Sequence, residues 1–372
     1  MGNSQNGCAQ AVHSETFFAR DGWIEGRALD QLKHLEGLDG VRAVAGFPDL
    51  HPGKYGPVGC AVLADRLHPQ LVGSDIGCGM GLFRLDLPLR KLKLDKAAER
   101  LRNLAGPVDG DEMAERLEEL GLDAALAPEA LGSVGGGNHF CEAQKVVQAA
   151  PESGLEKGAL VLLVHSGSRG VGHSILSRLI AEGLVSLDPE SEAGRDYLRR
   201  HNEAVAWAGL NRKVIAERAA MALRATCEPL VDVLHNLLSP EFGGWLHRKG
   251  AAVASGLVPL AGSRAAPSFL MQPLGHAGAL ASMAHGAGRK YDRSSMHGRV
   301  RAGRADLAAL KRTRLGGRVI CDEKTLLIEE APEAYKPVLE VVSALEQTDV
   351  ARPVAEMHPL ITYKRAIERG AS

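Results

Sequence analysis

The sequence has little net charge, few cysteines and no long apolar run. The formal charge is −1 over 372 residues, so no global field points to a nucleic acid, and any surface for one must be local. The six cysteines are scattered without a disulfide rhythm, which suits a reducing compartment. No segment approaches the roughly 20 apolar residues of a membrane span, and no signal peptide is evident. We therefore expect a cytoplasmic protein that is not associated with a membrane.

Glycine, in contrast, is abundant, and much of it lies in a few dense clusters. The 43 glycines interrupt otherwise ordered sequence, which is typical of ligand-handling loops. These loops are spread over residues 46–290 and must converge in space. This predicts one integrated domain over residues 21–372, after a polar and loose segment over residues 1–20.

Apolar patterns predict both strands and helices, as in an α/β protein. The runs Val58–Ala64 and Leu160–Val164 predict buried strands, and the spacing in Glu192–Cys227 predicts the longest helix. The segment Phe47–Lys54 is predicted to be a loop because it contains two prolines and a glycine.

The segment Gly73–Gly81 places an acid and a thiol, Asp75 and Cys78, among glycines. Glycine lets the backbone turn sharply and come close to a ligand. In a chain with no sign of secretion, this arrangement indicates a metal site. A tight turn that contains a buried cysteine explains the segment equally well when it is considered alone.

Three histidines end or follow apolar segments: His139, His165 and His235. Any one of them alone is better explained as a core histidine with satisfied hydrogen bonds. Together with Asp75 and Cys78 they are five candidate ligands, more than one divalent ion needs. Five ligands suit two ions that share one of them, and a thiolate can bridge. From ligand type and affinity order alone, Zn²⁺ is expected to compete well for such a site.

A fourth histidine, His285, lies in a loop of small residues, Ala284–Arg289. The neighbouring Gly286, Ala287 and Gly288 would expose backbone N–H groups to a phosphate. His285 is therefore a candidate covalent nucleophile. An exposed loop histidine is the simpler explanation when the segment is considered alone.

Polar residues flank these loops and can hydrogen-bond a nucleotide, although each alone is more often a cap or turn residue. They are Asn138, Glu142, Asn236 and Ser263.

A basic stretch follows over residues 289–318, where ten basic residues are opposed only by Asp292 and Asp306. A run of charge is usually a solvated face, but one so unbalanced beside His285 can hold a polyanion. Few aromatic residues lie in it, so base stacking is not indicated there.

Short motifs recur in one order along residues 40–364. They are Pro48–Lys54, Asp75–Met80, Gly137–Phe140, His165–Gly170, His235–Asn236, His247–Gly250, His285–Arg289, Glu330–Lys336 and Lys364. In this order they resemble the motifs of the RtcB family of RNA-splicing ligases.

The resemblance implies a mixed α/β single domain of the RtcB type with a central cleft for two metal ions. It also implies an enzyme that uses GTP and Mn²⁺ to join RNA ends. One end carries a 2′,3′-cyclic phosphate or a 3′-phosphate, the other a 5′-hydroxyl, and the reaction passes through a histidine–GMP intermediate. A cyclic phosphate would first be hydrolysed at the same metals. The implied metal is thus manganese, where affinity order alone favours zinc.

The resemblance also implies roles for single residues. Cys78 would bridge the two Mn²⁺ ions, with His165 and His235 completing one site and Asp75 and His139 the other.

His285 would be the residue that becomes guanylylated. The positions that match the guanine-nucleotide site of the family are Asn138, Glu142, Asn236, Ser263, Tyr335 and Lys364.

Two features depart from the family pattern. The family usually has Gly-Ser-Met-Gly-Thr where this chain has Gly-Ser-Arg-Ala-Ala at residues 262–266, which affects the nucleotide site. The chain is also shorter than typical members and resembles a shorter branch that is often associated with a release-factor-like partner. Repair of cleaved RNA is then expected more than intron removal, with that partner or an archease-type helper.

Two other functions fit the same residues. One is a two-metal phosphohydrolase that opens cyclic-phosphate RNA ends without ligation and leaves His285 idle. The other is a non-catalytic RNA-binding repair factor that uses the basic stretch.

Overall fold

Two β-sheets carry the glycine-rich loops in the computed structural model, which describes residues 12–301 and 303–367. Strands and helices are numbered along the chain. The first sheet has, in spatial order, β1 His13–Thr16, β2 Val41–His51, β3 Val58–Ala64, β9 Gly244–Lys249 and β8 Asn236–Glu241. The pair β1–β2 is parallel and the other neighbours are antiparallel.

The second sheet is larger, and β14 Arg318–Cys321 pairs in parallel with the last part of its longest strand. Its remaining strands, in spatial order, are β11 Val258–Leu260, β12 Ser268–Pro273, β15 Ala351–Arg365, β5 Phe140–Ala149, β6 Leu160–Ser166, β4 Gly79–Leu85 and β7 Cys227–Leu234. A separate short pair joins β10 Ala251–Val253 to β13 Ser282–Ala284.

Helices cover the sheets and complete a mixed α/β fold, which confirms the predicted class. They are α1 Gly26–Leu35, α2 Leu94–Leu101, α3 Gly110–Glu119, α4 Gly170–Ala181, α5 Glu192–Ala222, α6 Arg293–Arg299, α7 Arg304–Ala309, α8 Lys324–Glu329 and α9 Val338–Gln347. Within the described ranges, none of these helices has both the length and the apolar character that crossing a membrane requires.

The long helix α5 packs across the back of β4 and β6, close to the ends of those strands. Ile215 and Ala219 lie in one buried cluster with Leu162 and Val164 of β6 and Phe83 of β4. Each of these residues is at most 5% exposed, so burial of apolar surface fixes the helix against the sheet. Polar residues on the same face of α5 are thereby brought to the strand ends.

The structure corrects two expectations about chain segments. Most of the predicted loop Phe47–Lys54 continues β2 as far as His51, and its pairing with β3 is irregular between Gly46 and His51. This irregularity accommodates Pro48, which has no N–H to donate to a ladder. Of the segment predicted to be loose, residues 1–11 lie outside the described residues, whereas His13–Thr16 pairs with β2. A single catalytic domain over residues 21–372 stays a prediction.

Candidate active site

All of the predicted site residues line one cleft with a volume of about 910 Å³. The candidate metal ligands and the candidate nucleophile are Asp75, Cys78, His139, His165, His235 and His285. The candidate nucleotide contacts are Asn138, Glu142, Asn236, Ser263, Gly286, Ala287, Gly288, Tyr335 and Lys364. The glycine-rich loops therefore converge, as the sequence predicts, whereas the role of each residue stays a prediction.

The candidate metal ligands form a compact cluster around the thiol of Cys78. Its Sγ lies 3.4 Å from Nε2 of His139 and 3.3 Å from Nε2 of His165. On one side, Nε2 of His139 is 2.7 Å from Oδ2 of Asp75. On the other, Nε2 of His165 is 3.2 Å from Nε2 of His235. Cys78, His139 and His165 thus bring their ligand atoms close enough together to hold a metal ion, and the carboxylate of Asp75 adjoins them through His139.

Strand register explains why residues far apart in sequence meet here. Gly79, which follows Cys78, pairs with both Ser166 of β6 and Leu234 of β7. Phe140, which follows His139, pairs with His165. The ends of four adjacent strands therefore coincide at one edge of the sheet, and each end contributes a candidate ligand.

Burial controls the charge of the cluster. Cys78, His165 and His235 are 2–3% exposed. Burial, followed by the charge of Asp75, raises the pKa of the Cys78 thiol well above its usual value. Burial and neighbouring cations lower the pKa values of His165 and His235. The imidazoles are therefore neutral at physiological pH, which is the form that binds metals, and a bound cation would deprotonate the thiol.

Asp75 remains ionised at the mouth of the cluster. Burial alone raises the pKa of its carboxyl, but His139, Cys78 and Arg169 together hold it below its usual value. Its side chain is 31% exposed. One carboxylate thus faces the cleft beside the buried thiol of Cys78 and the buried imidazoles of His165 and His235.

The environment of His285 fixes which ring nitrogen carries the proton. Nδ1 lies 2.7 Å from the carbonyl oxygen of Gly250 and 2.8 Å from Oδ2 of Asp49. Both partners accept hydrogen bonds, so Nδ1 must be the donor, and in the neutral form of the ring Nε2 is the nitrogen with the free lone pair. The His285 ring centroid is 4.5 Å from that of His235. The ring of the candidate nucleophile therefore lies next to the candidate metal ligands.

A second wall of the cleft combines a carboxyl group with cationic donors. Glu142 pairs with Thr362 across β5 and β15 and hydrogen-bonds its hydroxyl. Burial raises the pKa of Glu142 to about 7. Two residues further along β15, Nζ of Lys364 lies 3.4 Å from Oε2 of Glu330. Tyr335 also donates to Glu330. This wall offers both acceptors and donors to a planar polar ligand.

Asn236 differs from the other candidate nucleotide contacts because the backbone already engages both ends of its side-chain amide. Its Nδ2 donates to the carbonyl of Asp75 at 3.3 Å, and its Oδ1 accepts from the N–H of Gly250 at 2.7 Å. Asn236 thus links the cysteine loop to the strand that follows His235. Asn138 and Ser263 are half-buried in the cleft wall.

Comparison with known proteins shows the family. The family model described as tRNA-splicing ligase RtcB matches residues 31–123 and 122–365. The chain belongs to the RtcB family. It is 43% identical over 369 residues to the RNA-splicing ligase RtcB2 of Escherichia coli, an alignment that covers 94% of this chain and 95% of that protein. It is 30% identical to the RNA-splicing ligase RtcB of Mycobacterium tuberculosis over 86% of this chain and 96% of that protein.

A more distant relative is the tRNA-splicing ligase RtcB of Archaeoglobus fulgidus, at 26% identity over 91% of each chain. The relatives are named as RNA or tRNA ligases, so this RtcB-family chain is an enzyme of the ligase type. The resemblance predicted from the motifs is confirmed.

Sequence analysis did not select Asp49 and Arg169 as site residues, although both lie in RtcB-like motifs. Asp49 is fully buried and also accepts from the backbone N–H of His285 at 3.1 Å. Nη1 of Arg169 lies 3.3 Å from Nδ1 of His139. Arg169 has φ 56°, a strained conformation for a residue with a side chain. The signals available in the sequence were the Pro-Asp pair that contains Asp49 and the Ser-Arg-Gly triplet that contains Arg169.

Two further residues were missed on α5, Asn211 and Arg212. Nη1 of Arg212 donates to the carbonyls of Gly77 at 2.7 Å and Ser166 at 2.9 Å, while its Nε and Nη2 bind Asp232. Asn211 donates to Ser166 and to neighbouring carbonyls. The signal for these two residues was that adjacent polar side chains lie on the apolar face of the predicted helix. Together they hold the ends of β4 and β6 in position.

The basic stretch 289–318 is divided between two roles. Arg289 and Arg293 bind the buried carboxylate of Glu330 at 3.0 and 3.4 Å, so they are part of the cleft wall. Arg299 stacks over Tyr291, with its guanidinium carbon 3.8 Å from the ring centroid. Arg299, Arg301 and Arg304 are exposed. Arg289 and Arg293 are thus engaged by Glu330. The exposed Arg299, Arg301 and Arg304 are the part of the stretch that we expect to bind a polyanion.

We expect Arg212→Met to lower the free energy of unfolding by about 3 kcal/mol, because it leaves a carboxylate and two carbonyls without their buried partner. Urea denaturation measures the change. Arg200→Met on the exposed face of α5, where Arg200 binds Asp196, is the control and should have little effect. Equal losses in the two variants would show that Arg212 does not hold the strand ends.

Proposed function

We propose that this chain is a GTP- and Mn²⁺-dependent RNA ligase. It would join a 2′,3′-cyclic phosphate or 3′-phosphate end to a 5′-hydroxyl end through a histidine–GMP intermediate. The observation that carries the proposal is the position of His285, which has a fixed tautomer and lies 4.5 Å, centroid to centroid, from His235 of the metal-ligand cluster. The phosphohydrolase alternative gives His285 no role, whereas the ligase mechanism uses it as the nucleophile.

The cluster fits two divalent ions that share one ligand. Cys78 lies between His139 and His165 at almost equal distances, 3.4 and 3.3 Å. Asp75 would complete the site on the His139 side, and His235 the site on the His165 side. When bound, Mn²⁺ would offset negative charge on phosphate oxygens. Manganese is compatible with this ligand set because cellular availability counts as well as affinity.

His285 would perform the first chemical step with GTP as its partner. Nε2 attacks the α-phosphorus, a P–N bond forms, the bond from that phosphorus to the bridging oxygen breaks, and pyrophosphate leaves. Asp49 and the carbonyl of Gly250 hold the proton on Nδ1 throughout. They also stabilise the positive charge that develops on the ring.

The RNA ends would then react in two transfers. An oxygen of the RNA 3′-phosphate attacks the phosphorus of the His285 adduct, so that the P–N bond breaks and the histidine is regenerated. The 5′-hydroxyl then attacks the activated 3′-phosphorus, loses its proton, and GMP leaves. A cyclic phosphate would first be hydrolysed in the same cleft. Activation turns a poor leaving group into a good one.

Several residues would bind the nucleotide. The carboxyl of Glu142 and the ammonium of Lys364 offer an acceptor and a donor to a guanine base, and Tyr335, Asn138 and Ser263 line the same cleft. The backbone of Gly286, Ala287 and Gly288 would bind phosphate beside His285. Asn236 would contribute mainly by holding the cysteine loop, because its amide is already engaged.

Repair of cleaved RNA in the cytoplasm is the proposed setting, with a release-factor-like or archease-type protein as a possible partner. The described cysteines Cys60, Cys78, Cys141, Cys227 and Cys321 are unpaired, which supports a reducing compartment.

The labelling prediction tests the ligase mechanism. With Mn²⁺ and GTP labelled at the α-phosphate, the protein should acquire an acid-labile label, because a P–N bond hydrolyses in acid. His285→Ala should abolish the label, whereas His173→Ala, at an exposed histidine of α4, should keep it. Equal labelling of the His285→Ala protein would refute the proposed nucleophile. Turnover of cyclic-phosphate RNA without GTP by that variant would support a phosphohydrolase.

Metal stoichiometry tests the shared ligand. Cys78→Ala should remove both Mn²⁺ ions, because the thiolate serves both sites, whereas Asp75→Ala should weaken mainly one. Metal content after equilibrium dialysis measures the difference, and Cys227→Ala, outside the cleft, controls for loss of a thiol. If Cys78→Ala retained one ion at full affinity, the bridging role would be wrong.

RNA binding tests the exposed part of the basic stretch. Replacing Arg299, Arg301 and Arg304 by Gln should weaken RNA binding and flatten its dependence on salt, because fewer counterions are released. Affinity is measured across a salt titration, and single replacement of the exposed Arg90 is the control. Unchanged affinity and slope would assign RNA binding to another surface.

A further inference from the structure

Arg264 is a buried cation on the cleft wall with an incomplete set of partners. The residue is 6% exposed and lines the cleft. Its Nη2 donates to the carbonyl of Leu327 at 3.0 Å. Its Nη1 is buried and has no hydrogen-bond partner among the described residues. A buried guanidinium N–H without an acceptor is unfavourable, so a ligand that supplies an acceptor would be bound strongly.

The nearest acid in the cleft does not serve as that acceptor. Glu330 already receives Arg289, Arg293 and Lys364 at 3.0, 3.4 and 3.4 Å, and the Tyr335 hydroxyl as well. Burial lowers the pKa of Arg264, and the opposing effect of Cys321, Tyr335 and Glu330 does not offset this lowering. Arg264 is therefore an additional cation beside a carboxylate that is already neutralised.

The loop that carries Arg264 is tied at both ends to the proposed nucleotide site. The N–H of Ala261 donates to the carbonyl of His285 at 3.3 Å. The N–H of Gly262 donates to the hydroxyl of Ser268, which also receives the Gln144 amide. That amide in turn donates to Glu142. The loop thus runs between the nucleophile and the wall that would hold the base.

We propose that Arg264 donates to the O6/N7 edge of the guanine base and selects guanine in this chain. This rests on the proposed GTP-dependent function. An arginine donates only and matches two adjacent acceptors, which guanine offers at O6 and N7. Glu142 can accept from the opposite N1–H and N2–H edge of the base. Adenine lacks the O6 acceptor, and the methionine usual at this position in the family offers no donor.

The test compares equilibrium binding of GMP, 7-deaza-GMP and 2-aminopurine ribonucleotide by calorimetry. 7-Deaza-GMP lacks only N7, whereas 2-aminopurine ribonucleotide lacks O6 and also the N1–H from which Glu142 would accept, so 7-deaza-GMP is the analogue that isolates Arg264. None of the three ligands can form an adduct, because each lacks the pyrophosphate leaving group. The unaltered chain should prefer GMP over 7-deaza-GMP by about ten-fold or more, the range for a hydrogen bond to a charged group. In Arg264→Met the two ligands should bind with about equal affinity, because the guanidinium donor is absent.

Control measurements separate a binding role from a structural one. Arg90→Met makes the same change at an exposed arginine outside the cleft and should keep the preference for GMP. If Arg264 only supported the loop, Arg264→Met would weaken all three ligands equally and keep the preference, which would overturn the proposal. Equal binding of the three ligands by the unaltered chain would overturn it without any variant.

The same design distinguishes this proposal from the ligase mechanism. If the unaltered chain binds GMP with the expected preference but acquires no label from GTP, the histidine–GMP mechanism fails and the role of Arg264 stands. If it is labelled by GTP and Arg264→Met keeps its preference for GMP, the mechanism stands and the role of Arg264 is wrong.

Discussion

The pairing of β4 with both β6 and β7 is the constraint on which the cleft depends. Gly79 lies opposite Ser166 on one side and Leu234 on the other, so Cys78, His165 and His235 emerge together. A shift of one residue in either register would send the side chains to the opposite face. Arg212 prevents such a shift because one guanidinium binds carbonyls of both Gly77 and Ser166.

Burial then determines how the converged side chains behave. Burial holds His165, His235 and the thiol of Cys78 neutral, because it raises the pKa of Cys78 and lowers those of the two histidines. Neutral imidazoles at His165 and His235 avoid the cost of burying two like charges side by side. The ligand atoms of the cluster nevertheless lie at 3.2–3.4 Å from one another, so the arrangement suits a cation that gathers them.

The sequence predicts the parts of this site better than their arrangement. The strand Val58–Ala64 was predicted with its observed bounds because its residues are apolar except for Gly59 and none is charged. The extension of β2 to His51 was missed because Pro48 and its neighbours favour a loop, whereas contacts distant in sequence keep the segment extended. The sequence showed which residue types could bind a metal, because Cys, His and Asp lie beside glycines. Their mutual distances depend on strand register, which composition does not specify.

The missed residues share one property: each acts on another residue of the site. Asp49 binds a histidine and Arg212 binds two carbonyls. Their signals in the sequence were weak, because the groups that they position come from distant parts of the chain. Arg264 is different, because the sequence marks it as a departure from the family and the structure leaves Nη1 without a described partner. Oδ1 of Asp49 and Nε of Arg169 are also buried without a partner among the described residues. Arg264 differs from these two residues because it lines the cleft, where a ligand can supply an acceptor.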